Sequence, residues 1–162
     1  MKKCCSIACF ILVLSGWWFL PRSSHADEKN GLSDGQMIYV PAYSHIYHGD
    51  RERSFMLTIT LSIRNIDLHH PIKITTVDYY ETQGKLLKKI LSTPQILNPL
   101  ESIRYVIPER DKTGGSGANF VVEWHADRFV NPPIVESIMI GAQSGQGISF
   151  LSRGRVMMSS KD

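Results

Sequence analysis

Residues 43 to 50 read Tyr-Ser-His-Ile-Tyr-His-Gly-Asp, a dense group of side chains able to do chemistry. If the run is extended, Tyr39, Tyr43, His45 and Tyr47 share one face, because side chains alternate along a strand. That face is aromatic and carries one titratable imidazole, which suits a small ligand or a peptide. A metal would need two or three of His45, His48 and Asp50 brought together. His45 and His48 are three apart and point to opposite sides of a strand. Ser44, His45 and Asp50 have the residue types of a hydrolytic triad, but strand neighbours cannot meet in nucleophile–base–orienter geometry. The plain reading is an edge segment whose tyrosines cover the sheet.

A second pair is Glu123 and His125, two apart and so on one side of a strand, opposite Trp124. A carboxylate beside an imidazole can do acid–base work or help hold a metal. On a solvated outer face it does neither. Thr113 to Asn119 (TGGSGAN) resembles a phosphate-cradling loop. It lacks the Gly-Lys-Ser/Thr ending and no helix follows, so it reads as a glycine-rich connection. Gly141 to Gly147 (GAQSGQG) reads the same way. Ser116 and Asn119 in the first loop, and Gln143 and Gln146 in the second, become binding candidates if the two loops lie at one end of the fold. His69-His70 before Pro71 is turn chemistry. No residue is assigned a catalytic role and no cofactor is expected. A metal set, if one exists, would draw on His45, His48, Glu123 and His125.

Strands must position these groups. Phe55 to Asp67 (FMLTITLSIRNID) alternates apolar residues through Phe55, Leu57, Ile59, Leu61 and Ile63, the pattern of one long half-buried strand. Asn65 and Asp67 then supply a turn. Asp27 to Gly35 reads as a loose lead-in, and Gln36 to Ala42 as a strand placed by Pro41 at an edge or a bulge. Ile72 to Tyr80 is the partner of the central strand, with a slip near Ile74 to Val77 that marks a bulge. Lys85 to Leu91 has the lysines of an edge strand. Gln95 to Leu97 sits between Pro94 and Pro99, a place for a crossover. Ser102 to Ile107, Asn119 to Ala126 and Ile134 to Ala142 alternate again, and Pro108 to Gly117 is a long polar loop. Ile148 to Met158 gives one or two strands, bent at Gly154. Eight or nine short strands with no sustained helical period predict an all-β antiparallel β-sandwich of immunoglobulin-like, Greek-key type, with a closed β-barrel as the alternative.

The first 26 residues are read separately. Lys2 and Lys3 precede the apolar run Ser6 to Leu20. Pro21 ends it, and Ser24-His25-Ala26 offers small residues for cleavage. This is the pattern of a signal peptide cleaved after Ala26, leaving one domain over residues 27–162. The alternative is an uncleaved anchor helix, though the run is short for a span. Cys4, Cys5 and Cys9 come too early for a lipoprotein signal and leave with the leader. The mature chain then has no disulfide chemistry. Loss of Lys2, Lys3 and Arg22 takes the net charge of +3 to zero. Composition therefore gives no argument for nucleic acid or for anionic lipid.

Taken in order, VPAYSHIYHGD, TLSIRN, VDYYETQGKL, GGSGANFVVEWHA, NPPIVESIMIG and QGISFLSRGR resemble a bacterial family known as domain of unknown function 3124 (DUF3124). The resemblance spans nearly all of the mature chain. It implies an exported bacterial protein of the periplasm or extracellular space and brings no activity. The expected function is a non-enzymatic binding or structural module of the cell envelope. Its partner would be an envelope protein or a small ligand, not nucleic acid, and it would have no membrane span after signal cleavage. The alternative is a metal-binding or metal-dependent hydrolytic protein.

Overall fold

The computed structural model describes residues 31–143 and 145–160. The expected signal peptide lies outside the described residues. All the described regular structure is β. Six strands form one antiparallel sheet. In spatial order these are β12 (Arg155–Ser159), β1 (Ser33–Pro41), β9 (Asn119–Val130), β5 (Ile72–Tyr80) and β6 (Leu86–Lys89), with β7 (Gln95–Leu97) also paired to β5. Four more form a second sheet in the order β11 (Gln146–Arg153), β10 (Ile134–Gln143), β4 (Thr58–Arg64) and β8 (Ser102–Ile107). The hairpin β2 (His45–His48) and β3 (Arg53–Met56) stands apart from both. No sheet closes into a barrel, and the architecture is a sandwich.

The alternation read from the sequence builds the core. Ile59, Leu61 and Ile63 of β4 with Val135 and Met139 of β10 face Ile38, Val40, Ile74, Val77, Tyr79, Phe120, Val122 and Trp124 of the large sheet in one buried cluster. β4 lies between β10 and β8, an interior position in which its three apolar repeats, Ile59, Leu61 and Ile63, are fully buried. The expected slip in β5 is a bulge between Ile74 and Thr76.

Several boundaries differ from the sequence reading. Among the described residues there are twelve strands, not eight or nine. The run Phe55 to Asn65 is two strands, because Leu57 leaves the ladder where the chain passes from ribbon to sheet. The lead-in ends earlier than expected, since Ser33 to Gly35 already belong to β1. Pro41 marks neither an edge nor a bulge. β1 lies between β12 and β9, and Pro41 is its last residue, past the reach of β12, so no ladder bond misses its N–H. The C-terminal strand does bend at Gly154. A Cβ there would lie 2.6 Å from the Ile38 methyl and 2.9 Å from the Val135 carbonyl oxygen, so only glycine lets one strand serve both sheets.

Three of the crossings between sheets, β4–β5, β7–β8 and β9–β10, are tied together by two buried side chains. Asn65 Nδ2 donates to the carbonyls of His70 (2.9 Å), Leu97 (3.1 Å) and Asn98 (3.0 Å). Its Oδ1 accepts the Asp67 amide at 3.0 Å. Asp67 Oδ1 accepts the amides of His69 and His70, both at 2.9 Å, and Oδ2 accepts the Asn131 amide at 3.0 Å. The backbone donors of His69 and Asn131 hold the Asp67 carboxyl well below its usual range, against the opposing effect of desolvation.

Candidate binding site

Pro41 ends β1 in one sheet and Thr58 starts β4 in the other, so residues 42–57 bridge the opposite end of the sandwich. They do it as a two-stranded ribbon pairing His45 with Met56, Ile46 with Phe55, Tyr47 with Ser54 and His48 with Arg53. Gly49 takes φ 67° in the turn, a left-handed conformation that glycine adopts freely. Glu52 takes φ 47° in the same turn and donates its amide to the Gly49 carbonyl at 3.1 Å.

Paired residues share a face. His45, Tyr47, Ser54 and Met56 form one side of the ribbon, and Ile46, His48, Arg53 and Phe55 the other. Phe55 is buried and meets the His48 ring edge-on, with centroids 6.1 Å apart. His45 and His48 thus point apart, as their spacing requires. His45 Nε2 lies 3.1 Å from the Tyr47 hydroxyl, while its Nδ1 is buried with no hydrogen-bond partner. Met56 also lines an open depression of about 520 Å³, whose other walls are Pro108, Glu109, Arg110 and Lys112. The ribbon face and the polar loop therefore border one concavity. Its lining joins the apolar Met56 and Pro108 to charged residues of both signs, Glu109, Arg110 and Lys112. Such a surface can hold a ligand without transforming it.

The ribbon is strapped from behind. The Ser44 and Tyr79 hydroxyls share a buried hydrogen bond of 3.0 Å. Burial pushes the Tyr79 phenol up, the Ser44 bond partly offsets that, and the negative charge of Asp111 adds to it. The Ser44 amide donates to the Gly115 carbonyl at 2.9 Å, and that of Ala42 to Ala118 at 2.8 Å. Thr82 Oγ1 donates to the Gly114 carbonyl and accepts the Gly117 amide, both at 3.0 Å. The Gly115 amide bonds the Lys112 carbonyl. These glycine amides are spent inside the fold, so the loop is a strap and not a phosphate cradle. Gly114 packs so closely on the Tyr79 hydroxyl that no Cβ fits there.

The remaining candidates fall around this end. Tyr43 meets Phe150 of β11 edge-on at 5.6 Å, which makes its ring a packing element. Asp50 is exposed in the ribbon turn. Ser116 sits in the strap, and Asn119 opens β9 opposite Pro41 and Tyr80. Gln143 and Gln146 face each other across the β10–β11 turn. Gly141 of that hairpin abuts the Met56 carbonyl, so both glycine-rich loops border the 42–57 segment. Glu123 and His125 are elsewhere, on the outward side of β9. His125 Nε2 lies 3.4 Å from Glu123 Oε1, and Thr76 Oγ1 donates to Glu123 Oε2 at 3.0 Å. Among the described residues no three His, Cys, Asp or Glu side chains gather in a group suited to a metal.

The sequence reading missed Met56, Pro108, Glu109, Arg110 and Lys112. The signal for Met56 was available, since a hairpin around Gly49 pairs it with His45. The loop had no periodicity to place it.

Comparison with known proteins adds no activity. No curated protein matches the chain. The crystal structure of Thermotoga maritima 1070 is similar at 12% identity and a TM-score of 0.45, covering 79% of this chain and 97% of that one. The family described as protein of unknown function (DUF3124) matches residues 35–157, and the chain belongs to that family.

Proposed function

We propose that this chain is an exported, non-enzymatic binding or structural module of the cell envelope, built on an immunoglobulin-like sandwich. Its signal peptide ends at Ala26, and it works in the periplasm or outside the cell. Its partner, an envelope protein or a small ligand, contacts the His45–Tyr47–Met56 face of the ribbon and the loop from Pro108 to Lys112. The observation carrying this reading is the concavity itself. A sixteen-residue bridge, residues 42–57, joins the two sheets at this end. It is held rigidly by the Ser44–Tyr79 and Ser44–Gly115 bonds. It presents an exposed Tyr47 and a buried, unpartnered His45 nitrogen on the ribbon face shared with Met56, the ribbon residue that lines the depression. Rigid scaffolds presenting irregular polar segments are where binding surfaces concentrate.

The test is affinity capture from envelope extract with the parent protein and with a double variant, Tyr47→Ala and Arg110→Ala. Both positions are exposed, so thermal stability should stay unchanged while a partner retained by the parent is lost. Identical capture by the two proteins would remove the ribbon from consideration.

A further inference from the structure

The outward face of the four-stranded sheet carries a pattern that composition cannot show. Cross-strand register puts Val106, Thr60, Ile138 and Leu151 in one row over all four strands. The adjoining row toward the ribbon end is Thr58, Ile140 and Ser149. Val106, Ile140 and Leu151 are exposed to 52%, 53% and 47%. On the other side of the apolar row lie Arg104, Ser62, Glu136 and Arg153, again in register, with Arg64 beyond them. Arg64 is 3.8 Å from Glu136 and so neutralises the one acidic group. The solvent face of an antiparallel sheet ordinarily alternates to polar residues. Here Val106, Ile138, Leu151 and Ile140 gather toward the ribbon end, among Thr58, Thr60 and Ser149, and the arginines lie toward the other end, with the exposed Ile134 beside Arg64. The outward face of the six-stranded sheet is different, with Asp78, Lys89, Glu123, His125 and Lys73 interspersed.

We infer that this face docks on an anionic lipid surface. Three arginines against one paired glutamate make two copies of the face repel each other, which argues against a second copy of the chain. The face bears no Trp, Tyr or Phe, the side chains that anchor protein interfaces. Aliphatic side chains beside arginines, whose stems lie along apolar surface while the heads reach phosphate, suit the headgroup boundary of a bilayer. This goes beyond the binding-module reading and needs no ligand at the ribbon.

The test is co-sedimentation of the full chain at low salt. One set of vesicles is phosphatidylcholine, and the other contains about one-third phosphatidylglycerol to supply the negative surface potential. The expected result is binding to the anionic vesicles alone, falling as salt rises. A double variant, Ile140→Asp and Leu151→Asp, and another, Arg104→Gln and Arg153→Gln, should each weaken it by roughly tenfold or more. Circular dichroism checks that each is folded. A control, Met158→Asp, changes an exposed apolar residue of the other sheet and should bind as the parent does. Equal binding to neutral vesicles, no binding to anionic ones, or parental binding by the folded variants overturns the inference. So does a vesicle-free dimer that Leu151→Asp makes monomeric, since the face would then belong to a second copy.

Discussion

Asp67 shows how much one side chain can organise. Its carboxylate takes amides from both sides of the sandwich, and its acidity is increased by those bonds. The folded state therefore gains stability from Asp67 above its ordinary value of 3.8, and that gain is lost as pH falls below it. Asp67→Asn should lower the melting temperature at pH 7 and flatten the loss of stability between about pH 4 and pH 2. A melting series across pH in both proteins reads this directly, and parallel curves would refute it. Tyr79 offers a second case. Tyr79→Phe leaves the buried Ser44 hydroxyl without its partner and should cost about 1–3 kcal/mol by urea denaturation. Adding Ser44→Ala should then cost little more, because the unpaired group is gone. The sequence marked Asn65 and Asp67 as turn residues. It could not show that the turn reaches Leu97 and Asn131, because those partners are set by tertiary path and not by local pattern.

At the scale of elements, period-two alternation was legible wherever one face was buried and the other was not. β4, β8, β9 and β10 followed it, and the bulge in β5 was visible as a slip. Alternation did not reveal where a strand changes partners. Phe55 to Arg64 keeps one apolar rhythm although its first part pairs with β2 and the rest with β8 and β10. Ile59→Ala, fully buried, should cost about 2–5 kcal/mol in a denaturant titration. Gly154→Val forces a side chain against Ile38 and Val135 and should cost about 1–3 kcal/mol by the same measurement. An unchanged midpoint in Gly154→Val would mean that the corner has room the geometry denies. The candidate site was half legible. The Tyr43 to Asp50 run stood out by residue type, and its two faces followed from spacing. Its opposing wall is loop, and loops carry no period from which to place them.

For the whole molecule, the two ends of the sandwich differ in kind. One is locked by the Asn65–Asp67 hydrogen bonds across three crossings. The other is bridged by the ribbon and bordered by both glycine-rich loops. Substitution should therefore be tolerated unevenly. Exposed changes such as Tyr47→Ala should leave stability within about 0.5 kcal/mol, as surface positions usually do, while changes at Asn65 or Asp67 should not. The proposed export adds a further expectation. Edman sequencing or intact mass of protein recovered from the producing bacterium should give Asp27 as the first residue, and a retained leader would point to the anchored alternative. Composition gives residues 27–162 a net charge of zero and so gave no sign of the arginines gathered on the small sheet. Charge is summed by composition but arranged by register.

The bend at Gly154 also has a consequence for timing. β12 completes the large sheet by pairing with β1, while β11, on the same strand, forms the margin of the small one. Gln36 thus waits for Ser159, and the large sheet lacks its full complement of strands until β12, the last in the described chain, has been made. The β12 side of β1 therefore stays unpaired until the strand after Gly154 has been made. Nascent chains stalled with Gly154 still inside the ribosome should be digested by protease within the β1 segment. Released full-length chains should resist.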